Sequence, residues 1–304
     1  MSANNAEIIT RITQLKKQRN AVILVHNYQR PEIQDIGDFV GDSLELSQKA
    51  ATVQADVIVF CGVDFMAETA YIVNPKRTVL LPEPEAGCPM AQMITAEKLI
   101  EKKKELPDVA VVCYVNSSAA VKAESDICCT SANAVKVVQS LGDRDILFVP
   151  DQYLGQWVSQ KTGKQMHLWP GFCPTHMRVL AEDILRLKKQ YPGAVAVVHP
   201  ECRPEAKAAA DEVLSTGGMM RFARETKAKT IIIGTETGII YRLQKENPDK
   251  KFIAVSDKVI CPNMKRTTLE KVLWSLQEME HRITVPEDIR QRALRAVQRM
   301  LDLG

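Results

Sequence analysis

The sequence predicts an α/β protein of three similar αβα units, each with a small parallel sheet, set around a pseudo-threefold axis with the active site at its centre. Three observations carry this prediction. A five-residue apolar run ended at once by a polar ring occurs three times, a second apolar run followed by an acidic residue accompanies each, and the dipeptide Cys-Pro closes every repeat. At 304 residues the chain has room for two or three compact units. With 45% hydrophobic and 25% charged residues, 14 Gly and 15 Pro, it is neither disordered nor collagen-like.

Taken in order, Ile8, Ile12 and Leu15 give the N-terminal segment one apolar face at helical spacing. The runs over 21–25, 109–113 and 194–198 are apolar without alternation, the pattern of a parallel strand covered on both faces. Each ends on a ring, His26, Tyr114 or His199. Ser43 and Ser131 lie 17 residues beyond their rings, and Ser215 with Thr216 begins 16 beyond His199. Second strands are expected over 56–61, 145–149 and 230–233, each followed within three residues by Asp64, Asp151 or Glu236. Helical stretches over 43–53, 131–141 and 237–247 alternate with these strands. Short third strands over 78–81, 165–169 and 251–255 lead to Cys88-Pro89, Cys173-Pro174 and Cys261-Pro262, the only Cys-Pro pairs in the chain. These pairs are 85 and 88 residues apart and lie 62, 59 and 62 residues after their rings. Two further helices are expected around Leu269, Leu273 and Leu276, and around Ile289, Ala293, Val297 and Met300. The units divide as 1–105, 106–191 and 192–304.

Forty basic residues against 37 acidic ones leave a net charge of +3, too small and too evenly spread to call for nucleic acid or an anionic membrane. The apolar runs are strand-sized, far below the ~20 residues of a membrane span. Residues 1–20 carry no secretory signal, so a cytoplasmic location is expected. In a reducing compartment the eight cysteines are then small hydrophobes, metal ligands or nucleophiles rather than disulfides. No G-x-G-x-x-G or Walker A pattern calls for a nucleotide cofactor.

In open α/β sheets the functional crevice lies at the carboxyl ends of the strands, where the rings, hydroxyls, acids and Cys-Pro loops all fall. One thiolate from each unit suits a metal group at the common axis. We expect a [4Fe–4S] cluster on Cys88, Cys173 and Cys261 with one iron left open as a Lewis acid. Zinc on the same three thiolates is the alternative, and three unrelated buried thiols the plainest reading. Cys61, Cys113, Cys128 and Cys129 read as core, and Cys202 as a candidate fourth ligand. A cluster-bearing electron carrier or redox sensor, and a zinc-stabilised structural protein, remain open at this point. The bland reading of Asp64, Asp151 and Glu236 is helix capping, and that of His167, His176 and His281 is structural or surface.

The motifs His26-Asn27-Tyr28-Gln29, Val40-Gly41-Asp42-Ser43, Tyr114-Val115-Asn116-Ser117, Cys129-Thr130-Ser131, His199-Pro200-Glu201-Cys202, Ser215-Thr216-Gly217 and Gly234-Thr235-Glu236, with the three Cys-Pro sites, resemble the quinolinate synthases of de novo NAD biosynthesis over nearly the whole chain. The resemblance implies three αβα domains around an oxygen-sensitive cluster held by three cysteines. It implies condensation of iminoaspartate with dihydroxyacetone phosphate to quinolinate, with loss of phosphate and two waters. It also implies functional coupling to L-aspartate oxidase or aspartate dehydrogenase. The C-x-x-C-x-x-C pattern of some members is absent here, since Cys261 is followed by Pro262, Asn263 and Met264. Under this resemblance Ser43 and Ser131, each before a helical segment, take the triose phosphate. His26, Asn116, Ser215 and Thr216 take carboxylates. Glu201 is the acid/base, with His199, Tyr28 and Tyr114 orienting substrate or moving protons.

Overall fold

The computed structural model describes residues 3–303. Among them are three four-stranded, all-parallel sheets, and each pairs its strands in the same order. The first holds β1 (Ala21–His26), β2 (Phe39–Gly41), β3 (Val57–Cys61) and β4 (Thr78–Leu80), ordered 2-1-3-4. The second holds β5 (Ala110–Tyr114), β6 (Ile127–Cys129), β7 (Ile146–Val149) and β8 (His167–Leu168), ordered 6-5-7-8. The third holds β9 (Val195–Val198), β10 (Glu212–Val213), β11 (Thr230–Gly234) and β12 (Lys251–Ala254), ordered 10-9-11-12. Helices flank each sheet, so the three αβα units expected from the repeat are present. Every residue of β3 and β5 is buried, which is why these strands read as unbroken apolar runs.

The edge strands β2, β6 and β10 are too short, at two or three residues, to leave a sequence pattern. A repeated aspartate holds them instead. Asp38, Asp126 and Asp211 each stand immediately before an edge strand, and each Oδ2 accepts the N–H of a central-strand residue 15 positions earlier. Those bonds, from Ile23, Val111 and Ala196, are 2.7, 2.8 and 2.8 Å long. The N–H of each aspartate returns to the carbonyl of the same residue, so the carboxylate and backbone bracket it and start the ladder. Such a bond adds about 1 kcal/mol and fixes the register.

The helix Ser43–Thr52 opens with a complete capping box between Asp42 and Glu45. Its counterparts are Ala134–Gln139 in the second unit and Thr216–Glu225 in the third. The stretch expected over 237–247 is the helix Ile239–Glu246, which follows the inner strand β11 as Asp64–Val73 follows β3. The helix Ala3–Gln18 pairs with Leu269–Glu278 over the first sheet, where Ile8 and Ile12 share an apolar cluster with Val57, Val59, Leu269, Val272 and Leu276. The last helix, Glu287–Leu301, lies across the second unit against Ala119–Ala123 and β6, burying Ala293, Ala296, Val297 and Met300. Among the described residues no helix is long and apolar enough to cross a membrane.

Candidate active site

The carboxyl ends of the three sheets face one cavity, lined by side chains of all three units. His26 and Tyr114 end their central strands and His199 directly follows β9, so the backbone places a ring at the cavity wall three times. In two of these loops the backbone also fixes the tautomer. His26 Nδ1 accepts the N–H of Tyr28 at 3.1 Å, and His199 Nδ1 accepts that of Glu201 at 3.3 Å. The proton of each neutral imidazole therefore sits on Nε2, and His199 Nε2–H donates to Ser131 Oγ at 3.2 Å. Burial is the main cause lowering both histidines to about 3, so neither carries charge at neutral pH.

A buried chain of polar groups crosses the cavity floor and joins the units. The Tyr114 hydroxyl donates to Glu201 Oε1 at 2.5 Å, and Glu201 Oε2 lies 2.9 Å from His176 Nδ1. That second approach is out of line for a hydrogen bond and leaves Nδ1 without a partner. His176 Nε2 lies 2.8 Å from Thr235 Oγ1, which pairs at 2.6 Å with the Tyr28 hydroxyl, itself 3.0 Å from Thr216 Oγ1. The His176 ring also stacks on His199, with centroids 4.6 Å apart. Burial alone raises the Glu201 carboxyl, yet His176 and the Tyr114 hydroxyl outweigh it and hold the group below the usual carboxylate range. His199 adds its charge only below about 3. Both tyrosines are pushed up, first by burial and then by neighbouring groups that include Glu201, and stay protonated.

Cys88, Cys173 and Cys261 are half-buried and line this cavity, all as free thiols. Burial raises all three, with mutual repulsion and nearby carboxylates adding to it, and pushes Cys88 up to about 12. Such thiols ionise when a metal takes the proton's place, so the donor set fits a metal group. The strand-end acids serve these loops. Glu236 Oε1 accepts the Cys261 N–H at 3.1 Å, and Asp64 holds the Cys88 loop through its own N–H, which donates to Ala86 O at 2.9 Å. Asp151 instead caps Gln152–Thr162 through Leu154 N–H at 2.7 Å.

Of the site residues expected from the sequence, Cys88, Cys173, Cys261, Glu201, His199, Tyr28, Tyr114, His26, Ser43, Asn116, Ser131 and Thr216 all line the cavity. Ser215 does not, since its hydroxyl caps Thr216–Glu225 by accepting Gly218 N–H at 3.1 Å. The Asn116 Oδ1 is buried without a partner, as a group reserved for a ligand would be. Cys61, Cys113, Cys128 and Cys129 are buried in strands as core. Cys202 is buried as well, its Sγ facing Gly234 O at 3.5 Å. His176, read as structural from sequence, is instead a cavity group that also touches Glu201. The legible trace was Cys-x-x-His after a Cys-Pro pair. Thr235, which joins Tyr28 to His176, had no sequence signal of its own beyond its motif.

The family model described as Quinolinate synthetase A protein matches residues 10–302. The chain is 62% identical over 291 residues to a quinolinate synthase of Dehalococcoides mccartyi (strain CBDB1), covering 96% of each chain. It is 58% identical over 290 residues to one of Geobacter metallireducens, covering 95% of each. It is 55% identical over 296 residues to one of Methanosarcina barkeri, covering 97% of each.

Proposed function

The chain belongs to the quinolinate synthetase A family, and from that premise we propose that it condenses iminoaspartate with dihydroxyacetone phosphate to quinolinate, releasing phosphate and two waters. One observation supports this reading above the others. Three thiols more than 80 residues apart in sequence meet in a single cavity beside an ionised, buried glutamate. Cys88, Cys173 and Cys261 would hold a [4Fe–4S] cluster there. When bound, the cluster supplies an iron with a free position, a Lewis acid for substrate oxygen or nitrogen.

The chain's own residues supply the rest. Glu201, ionised at neutral pH, is the base that removes a proton from the condensing substrate. Tyr114, protonated and 2.5 Å from Glu201, holds that carboxylate in place and returns a proton to it or to a leaving hydroxyl. His199 presents its Nε2–H beside Ser131, a pair of neutral donors for substrate oxygens. Tyr28 reaches the same cavity through Thr216 and Thr235. Ser43 heads a ten-residue helix whose cap is Asp42, so its hydroxyl is spared for the triose phosphate, with Ser131 opposite. Neutral His26, Asn116 and Thr216 suit the two carboxylates of the product, while Ser215 acts by capping the helix on which Thr216 stands.

Anaerobic purification tests the reading. A brown protein with ~4 iron and ~4 sulfide per chain, whose visible spectrum changes on adding quinolinate, is expected. A cluster indifferent to quinolinate would favour an electron carrier, and a colourless zinc protein would overturn the iron–sulfur reading.

A further inference from the structure

Cys173 and Glu201, already assigned to the condensation, also belong with His176 to a second donor set in the cavity. Cys173 Sγ, a ring nitrogen of His176 and a carboxylate oxygen of Glu201 all lie within 4.8 Å of one another. Zinc-type ions bind sulfur, imidazole and carboxylate at about 2.0–2.3 Å, so ligands of one ion stand up to about 4.6 Å apart. Small side-chain adjustments bring these three to a common centre.

The contact between His176 and Glu201 has the form of two ligands rather than two hydrogen-bond partners. Nδ1 and Oε2 are 2.9 Å apart, both buried, with no hydrogen bond in line between them. A buried ring nitrogen without a hydrogen-bond partner thus stands beside a buried carboxylate oxygen, the juxtaposition of two ligands to one ion. The opposite nitrogen, Nε2, meets Thr235 Oγ1 at 2.8 Å, the outer contact that orients a ligating imidazole. Tyr114 does the same for the carboxylate through Oε1.

We propose that the cluster-free protein binds one zinc-type divalent ion on Cys173, His176 and Glu201, with its fourth position open to the cavity. Sulfur, nitrogen and carboxylate in one set select such an ion over magnesium or calcium, which take oxygen alone. On binding, the Cys173 thiol releases its proton to solvent, and thiolate and carboxylate balance the two positive charges. The set shares only Cys173 with the three-cysteine set, so the mononuclear ion and a cluster exclude each other. Zinc then competes with cluster assembly at a defined position. The inference concerns metal-free protein and stands or falls apart from the iron–sulfur reading.

Cobalt titration of metal-free, reduced protein tests it. One cobalt per chain is expected, with the visible bands of a four-coordinate ion and a near-ultraviolet band of a single thiolate ligand, both erased by zinc. Cys88→Ser with Cys261→Ser should leave these bands intact. His176→Ala and Cys173→Ser should weaken binding by more than the roughly 10–100-fold that loss of an outer contact costs, with circular dichroism showing the fold retained. Glu201→Gln provides a second variant that keeps side-chain volume. Cobalt that needs Cys88 or Cys261, that ignores His176→Ala, or that fails to bind stoichiometrically would overturn the proposal. A protein that assembles a cluster but takes no cobalt would sink this site and leave the cluster reading standing, and the reverse result would do the opposite.

Discussion

The Cys88 and Cys261 loops are built alike, and the Cys173 loop is not. In the first two, a strand-end acid anchors the loop, Asp64 by donating its N–H to Ala86 O and Glu236 by accepting the Cys261 N–H, and Asn263 Nδ2 donates to Gly87 O at 2.6 Å, tying one loop to the other. Glu236 is further paired with Lys265 at 2.9 Å. In the second unit the matching acid, Asp151, caps a helix and leaves its Oδ2 buried and unpartnered. The Cys173 loop instead folds into the short turn His176–Arg178, closed by Met177 N–H on Cys173 O at 3.2 Å, and this turn delivers His176 to Glu201. One repeat has thus exchanged loop anchoring for a reactive group. All three retain the thiol.

The largest effect should come from the feature all three loops share. Cys→Ser at 88, 173 or 261 should abolish the iron–sulfur cluster and quinolinate formation, whereas Cys61→Ala should keep both. Metal analysis and a quinolinate assay check this, and a dispensable Cys173 would break the comparison outright. Next come the groups found only beside the Cys173 loop. Glu201→Gln and His176→Gln should retain the three-cysteine cluster yet lower kcat by about 10²–10⁴-fold, the usual cost of removing acid/base help. Unchanged kcat in either would mean that the difference between the loops carries no chemistry.

A smaller effect sharpens the anchoring half of the comparison. Glu236→Gln should destabilise the protein by about 1–3 kcal/mol in urea unfolding, because the charge-assisted bonds to Cys261 N–H and Lys265 are weakened. Asp151→Asn keeps its acceptor for Leu154 and should cost less than about 1 kcal/mol. Equal losses would erase the distinction between the two acids.

The central strands were legible because strands buried on both faces leave uninterrupted apolar runs, and the Cys-Pro register pointed to one site. The edge strands were not, since β10 has only two residues and its register rests on Asp211, one carboxylate whose partner lies 15 positions back. His176 escaped for a similar reason. Its importance arises from Glu201 and Thr235, which belong to another unit and reach it only through the fold. Ser215 shows the converse, a residue at the right register whose hydroxyl is consumed by its own helix.

A change of pH probes the buried rings without altering the sequence. His26 and His199 have folded pKa values of about 3 against 6.5 when free, so the unfolded chain binds more protons between those values. Stability contributed by their neutral forms is complete above pH 6.5 and falls below it, by about 1.4 kcal/mol per pH unit for each histidine. Urea midpoints should decline from pH 7 to pH 5, and His199→Gln should flatten the slope by about half. A slope unaltered by that change would place His199 in solvent.

The central claim is that three units each give one thiol to a shared cluster and leave one iron for the reactants. Mössbauer spectroscopy of iron-57-enriched protein tests it most directly. One iron of the ~4 should shift its signal when quinolinate is added while the rest stay put. Irons that all remain unchanged, with quinolinate bound, would contradict the account.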